Sequence, residues 1–152
     1  MPLRFTLADR KANQLEEREL FELLDEPNIL RLALIDARDN MPLVHPVWYY
    51  YKDGKFFVSV DREGVKAQSL RKNPNVYFLI DVDPDDGPPR GVRGKGIARV
   101  VDDPAYASKV TIQNVMRYLG SIETQIAKKL IEMGKESSVI EITPRYIATW
   151  KF

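Results

Sequence analysis

A chain of 152 residues lies near the modal size of one folding unit and can bury roughly two-thirds of its unfolded surface, so residues 1–152 are expected to form a single domain. Lys plus Arg number 23 against 22 for Asp plus Glu, with 30% charged and 44% hydrophobic residues, which excludes a disordered chain and argues against a nucleic-acid partner. The lack of cysteine excludes disulfides, thiolate metal centres and cysteine nucleophiles, and a lone histidine, His45, argues against a histidine metal site, so no metal is expected.

The amino end, MPLRFTLADRK, contains no apolar run of signal-peptide length, and no stretch approaches the ~18 apolar residues of a spanning helix. A soluble, cytoplasmic protein with no membrane partner is expected. Thr6 with Asp9 three residues on matches a capping box, and the segment from about Leu7 to Leu24 is rich in helix formers, with Leu20, Leu23 and Leu24 as its apolar end. Pro27 stops it. The run from Ile29 to Ile35 predicts a strand, interrupted by Arg31, which implies one wet face or a specific partner for that arginine. Turn formers from Asp36 to Asn40 lead to a strand from Leu43 to about Tyr51, with Pro42 and Pro46 placing part of it at an edge or bulge.

Asp53-Gly54 is a two-residue hairpin signal, and Lys55 to Val60 is the return strand, with Phe56, Val58 and Val60 on one face and Phe57 and Ser59 on the other. The segment DREG opens a short helix, VKAQSLRKN, that Asn73-Pro74 ends, and Val76 to Val82 is a central apolar strand. Residues Asp83 to Pro89 form a surface loop, and Val92 to Val101 a long strand with Arg93, Lys95 and Arg99 on one face and Gly94 and Gly96 opposite. Asp102-Asp103-Pro104 starts a helix that runs to Leu119, and Ser121 opens a second to Met133, with Ile122, Ile126, Leu130 and Met133 at helical spacing. Val139 to Ile142 and Tyr146 to Phe152 are final strands broken by Pro144. This order predicts a mainly β, α+β protein: an antiparallel barrel with an N-terminal helix, a short inter-strand helix and a C-terminal helix pair.

The stretch Ser59 to Lys66 is the candidate binding site: a hydroxyl, the cations Arg62 and Lys66, and Gly64 at a helix start where backbone N–H groups can approach an anion. The same residues also fit a solvated hairpin-to-helix connection. His45, beside Trp48 and Tyr49 to Tyr51, suits either a structural role or a ligand contact. Neither a P-loop nor a dinucleotide fingerprint occurs.

The succession RLALID, PLVHPVWYYYKDGKFFVSV, KAQSLRKNPNVYFLID, VRGKGIARVVDDP and PRYIATW, spanning about Pro27 to Trp150, resembles the pyridoxamine 5′-phosphate oxidase-related flavin-binding split barrels. The resemblance implies a six-stranded antiparallel split barrel that forms a homodimer and binds FMN, or in some branches a deazaflavin, in two clefts at the subunit interface. It implies an oxidoreductase that passes hydride through flavin N5 to or from a small molecule. Val58 and Ser59 match the strand end beside the flavin phosphate, Lys66 the phosphate lysine, and Pro46, Val47 and Trp48 the strand along the flavin ring. Arg62 lies in a loop one residue longer than in the oxidase, and Arg93 and Trp150 would reach the cofactor from the partner subunit. His45, Tyr49 and Arg93 are the candidates for substrate contact. Gly91 stands where the oxidase has a flavin-contacting glutamine, and the oxidase's carboxy-terminal arginine pair is absent, which argues against pyridoxamine phosphate as substrate. The alternatives are a deazaflavin-dependent reductase of the same fold and a non-enzymatic module that binds flavin or nucleic acid.

Overall fold

Helix-forming composition near the amino end is overridden by sheet pairing. In the computed structural model, which describes residues 3–82, 85 and 87–152, Arg4–Leu7 is a strand, β1, and helix α1 spans Glu17–Asp25 only. β1 runs parallel to the carboxy-terminal strand, and beyond it Ala8 N–H donates to the Thr149 carbonyl at 3.0 Å and Asn13 N–H to that of Lys151 at 2.9 Å. These backbone bonds replace the expected helical ladder, and the cap moves to Glu19, whose carboxylate accepts from Glu16 N–H at 3.1 Å. α1 still buries Leu20, Leu23 and Leu24 as its spacing predicts.

There follow β2 (Leu30–Ile35), β3 (Pro42–Val47), β4 (Tyr50–Lys52), β5 (Lys55–Asp61), α2 (Val65–Lys72), β6 (Asn75–Asp81), β7 (Arg90–Val101), α3 (Pro104–Leu119), α4 (Gln125–Met133), a 3-10 turn (Gly134–Glu136) and β8 (Ser137–Lys151). The sheet order is β3-β2-β6-β7-β8-β5-β4, with β1 attached to β8. All seven segments predicted as strands are extended in the structure; the last two join, β1 is added and the strand expected from Leu43 to Tyr51 divides at Trp48-Tyr49, so the count is eight rather than the six that the resemblance implies. The two expected terminal strands are one, β8, which passes Pro144 where its register with β7 shifts at Lys95/Gly96. Of the expected loop at 83–89, only residues 85 and 87–89 are described.

The division at Trp48-Tyr49 makes the barrel a split one. β3 pairs with β2 and β4 pairs with β5, so the two ends of the seven-strand path are joined by two residues of chain rather than by a hydrogen-bonded ladder. β4 stops at Tyr50, opposite Phe57, so among the described residues positions 58–61 of β5 have a ladder partner, β8, on one side only. The outer edge of β3 is likewise unpaired among the described residues, which is where Pro42 and Pro46 are tolerated. Asp53 and Gly54, at φ 51° and 77°, form the turn that joins β4 to β5 as the sequence predicts.

The barrel interior is filled by Tyr49, Phe56 and Phe78 with Leu30, Leu32, Ile80, Ile140 and Ile142, and the Phe56 and Phe78 rings lie 4.9 Å apart. α3 begins as predicted, the Asp103 carboxylate accepting from Ala105 and Tyr106 N–H. It lies across β4, β5 and β8, and its Arg117 donates to the carbonyls of Asp25 (2.7 Å), Leu24 (3.0 Å) and Glu26 (2.6 Å) at the end of α1. Arg117→Ala is therefore expected to lower stability by about 1.5 kcal/mol and the melting temperature by about 3–6 °C, read by thermal unfolding. α4 buries Ala127 alone, and Ile122, Ile126 and Met133 remain exposed. Among the described residues no helix is long and apolar enough to cross a membrane.

Candidate functional site

Two groups of polar and aromatic residues stand on the barrel. The first gathers at the split and the start of α2. Alternation along β5 turns Val58 inward, where it is fully buried, and Ser59 outward, where its hydroxyl lies 2.7 Å from that of Thr111 on α3. Val58 can thus meet a ligand through its backbone only. Asp61 closes the next turn: its carbonyl accepts from Gly64 N–H at 3.1 Å and its carboxylate from Glu63 N–H at 3.0 Å. α2 (N-cap Gly64) then starts without a side-chain cap, and its first N–H with a helical acceptor is that of Gln68, so among the described residues those of Val65, Lys66 and Ala67 have no hydrogen-bond acceptor and can meet an anion.

Lys66 lies in that first turn, half-buried, and among the described residues no hydrogen bond or ion pair reaches its ammonium. Burial pushes its pKa below the ordinary lysine value, partly offset by Asp61. Arg62 has its backbone fixed at both ends, N–H to the Glu136 carbonyl at 3.0 Å and carbonyl to Arg71 at 3.1 Å, while its guanidinium is held only loosely by Glu63 at 3.7 Å. A half-buried cation without a partner, a second cation and free helix N–H groups form an arrangement suited to a phosphate.

On the β3 side of the split, His45 and Pro46 are exposed and Val47 is buried. The His45 Nδ1–H donates to the Pro46 carbonyl at 2.8 Å. The Trp48 ring is stacked on Tyr118 of α3, with centroids 4.8 Å apart and planes at 4°. Tyr49, expected to meet substrate, is fully buried inside the barrel, donating its phenol to the Leu24 carbonyl at 3.0 Å, with its pKa raised by burial.

The second group is a cavity of about 510 Å³ on the outer face of the sheet, lined by Arg31, Tyr77, Arg93, Trp150 and Phe152, with Ala8 and Asp9 at one wall. It brings together Arg93 and Trp150, and adds Arg31. That arginine's interruption of an apolar strand was the signal: its guanidinium meets Asp81 at 2.5 Å across the sheet. Arg93 donates to the Ala8 carbonyl at 3.1 Å, so the amino-terminal segment that composition assigned to helix forms part of this wall. The basic face of β7 is not a continuous one: Lys95 sits over the Tyr146 ring and Arg99 is paired with Glu141 at 3.0 Å.

The two groups are far apart in one chain. Ser59 pairs with Val139 and Gly91 with Trp150, so they are separated by eleven residues of β8, about 35 Å of strand. The α3 residues that touch the first group, Thr111 and Tyr118, were not legible in the sequence, since nothing in a helical pattern tells which of its polar residues meet a distant strand.

The family model described as pyridoxamine 5′-phosphate oxidase matches residues 16–151, so the chain belongs to that flavin-related family of split barrels. Among solved structures, a conserved hypothetical protein from Mycobacterium tuberculosis is similar at 26% identity, covering 94% of this chain and 89% of that one, with a TM-score of 0.78. An F420 reductase is similar at 22% identity, covering 84% and 94%, with a TM-score of 0.68. A FAD-binding protein from Mesorhizobium loti follows at 18% identity, 93% and 99% coverage and a TM-score of 0.65. The last two likenesses are of fold. No curated protein matches the sequence.

Proposed function

We propose that this protein is a homodimeric, FMN-binding oxidoreductase whose cofactor sites are shared between subunits. The observation that carries this reading is the separation of the two groups: each chain presents an anion site at one end of β8 and an aromatic, arginine-lined cavity at the other. A two-fold axis would set the cavity of each subunit against the anion site of its partner and build two equivalent composite sites. Lys66, Arg62 and the free N–H groups of α2 would hold the phosphate; the backbone of Pro46, Val47, Val58 and Ser59 would line the split; Trp150 and Arg93 would close the site from the partner subunit. Trp48, seated on Tyr118, would serve as a fixed wall, and His45 and Arg93 would touch substrate. A bound flavin supplies hydride transfer through its N5, and the chain's own residues orient it and exclude water.

The protein purified with FMN is expected to elute as a dimer with one flavin per chain and a flavin absorption spectrum. A monomer without flavin would sink the reading. The likeness to an F420 reductase favours one second reading, a deazaflavin in the same site. Fluorescence quenching with FMN and with the deazaflavin in parallel separates the two.

A further inference from the structure

The loop at 61–64 is held in shape by groups that do not themselves line the proposed site. Arg71, in the last turn of α2, donates from Nη1 to the Arg62 carbonyl at 3.1 Å and from Nη2 to the Asp102 carboxylate at 2.8 Å. Asp102 follows β7 and also accepts from the Ser138 hydroxyl on β8. The Ser138 and Arg71 donors hold its carboxyl below the usual carboxylate range, so it stays charged and neutralises Arg71. On the other side, Arg62 N–H is bonded to the Glu136 carbonyl of the 3-10 turn. The loop is tight: a Cβ at Gly64 would lie 3.1 Å from Asp61 Cβ and 3.3 Å from its carbonyl oxygen. Both donor groups of the Arg71 fork are thus spent on protein oxygens, one of them the backbone of the residue that carries a site cation.

We infer that Arg71, Asp102 and Ser138 form a clamp that fixes the backbone of Arg62, and that they are the positioning residues for recognition of a phosphate monoester. They do so without touching it. The inference rests on the proposed flavin-type site and deepens it: selectivity for a phosphorylated cofactor over its dephosphorylated form is set by a second layer of residues tying α2 to the ends of β7 and β8. A planar fork is needed to bond a carbonyl and a carboxylate at once, so lysine at position 71 can keep only one of the two bonds.

The test compares dissociation constants for FMN and riboflavin, which share a ring and differ in the phosphate, by quenching of flavin fluorescence on the full chain. Wild type is expected to prefer FMN. Arg71→Ala is expected to reduce that preference by about tenfold with riboflavin affinity unchanged, Asp102→Asn to act in the same direction, and Arg71→Lys to recover part of the loss. Should Arg71→Ala fail to fold, Ser138→Ala removes one bond of the same clamp while leaving the packing, and a smaller loss of FMN preference is expected. Equal losses for FMN and riboflavin, or an unchanged preference in every variant, would overturn the clamp and leave these residues a purely structural role. A wild type that binds FMN and riboflavin equally overturns it as well. Binding of neither flavin by wild type overturns the composite site itself, a result distinct from failure of the clamp alone.

Discussion

Replacing Lys66 with alanine is expected to weaken FMN binding by about 10- to 100-fold, with the folded protein no less stable than before. One charge-assisted hydrogen bond is worth about 1.5–3 kcal/mol, and each 1.4 kcal/mol is tenfold in affinity. Stability moves the other way because the ammonium is half-buried without an ion-pair partner among the described residues, so the empty site carries a desolvation cost that alanine removes. The pH dependence follows from the same burial. The folded state disfavours the charged form, and the cost is present at neutral pH and relieved as pH rises through the lowered pKa. FMN affinity, which needs the charged form, falls through that same range, below the pH at which an exposed lysine titrates. Lys66→Ala abolishes this alkaline loss. Fluorescence titration of FMN across alkaline pH, with thermal unfolding of the unliganded protein, checks both halves; an unchanged dissociation constant would remove Lys66 from the site.

The second large effect is expected at Gly91, which by the resemblance stands where the oxidase has a glutamine. The structure gives the position a positive reason to be glycine. A Cβ at Gly91 would fall within 2.6 Å of Trp150 Cη2 and 2.7 Å of the Ile80 carbonyl, so the indole occupies the space a side chain would need. Gly91→Gln must therefore displace Trp150, and it buries an amide between β6 and β8 with no partner provided for it. We expect a loss of about 3 kcal/mol, a melting temperature lower by about 6–12 °C, and a red shift of tryptophan emission as the indole leaves its seat. Gly91→Ala should show the same changes to a smaller extent. Unchanged melting and emission in Gly91→Gln would show that the indole is not seated there. Restoring the oxidase's residue at this position thus damages the cavity rather than converting it, because Gly91 and Trp150 act as one unit.

What was legible in the sequence is what neighbours in the chain decide. The Asp53-Gly54 turn, the Asp103-Pro104 start of α3, the short α2 and the segments predicted as strands lie where local propensity places them. The alternation of Phe56, Val58 and Val60 against Ser59 is also correct, yet a period of two says only that these residues take opposite faces. Which face is interior depends on the curl of the sheet, and that is why Val58 and Tyr49, both expected at a ligand, prove to have their side chains in the core.

From α1 to β8 the order of helices and strands, and the family, were thus readable from local pattern. Only long-range contacts decided that Arg4–Leu7 pairs with β8 and that the residues after Leu7 follow it there instead of starting a helix, that the barrel is split at Trp48-Tyr49, and that Trp150 fills the space above Gly91. Tertiary structure also decided that no hydrogen bond or ion pair among the described residues reaches the Lys66 ammonium, and that Trp150 stands about 35 Å along β8 from the position paired with Ser59. The physical reason is range: turns and caps are settled within a few residues, whereas the pairing of strands, the surroundings of a cation and the distance between two half-sites arise from contacts between residues up to 142 apart, the separation of Arg4 from Tyr146 across the β1–β8 ladder.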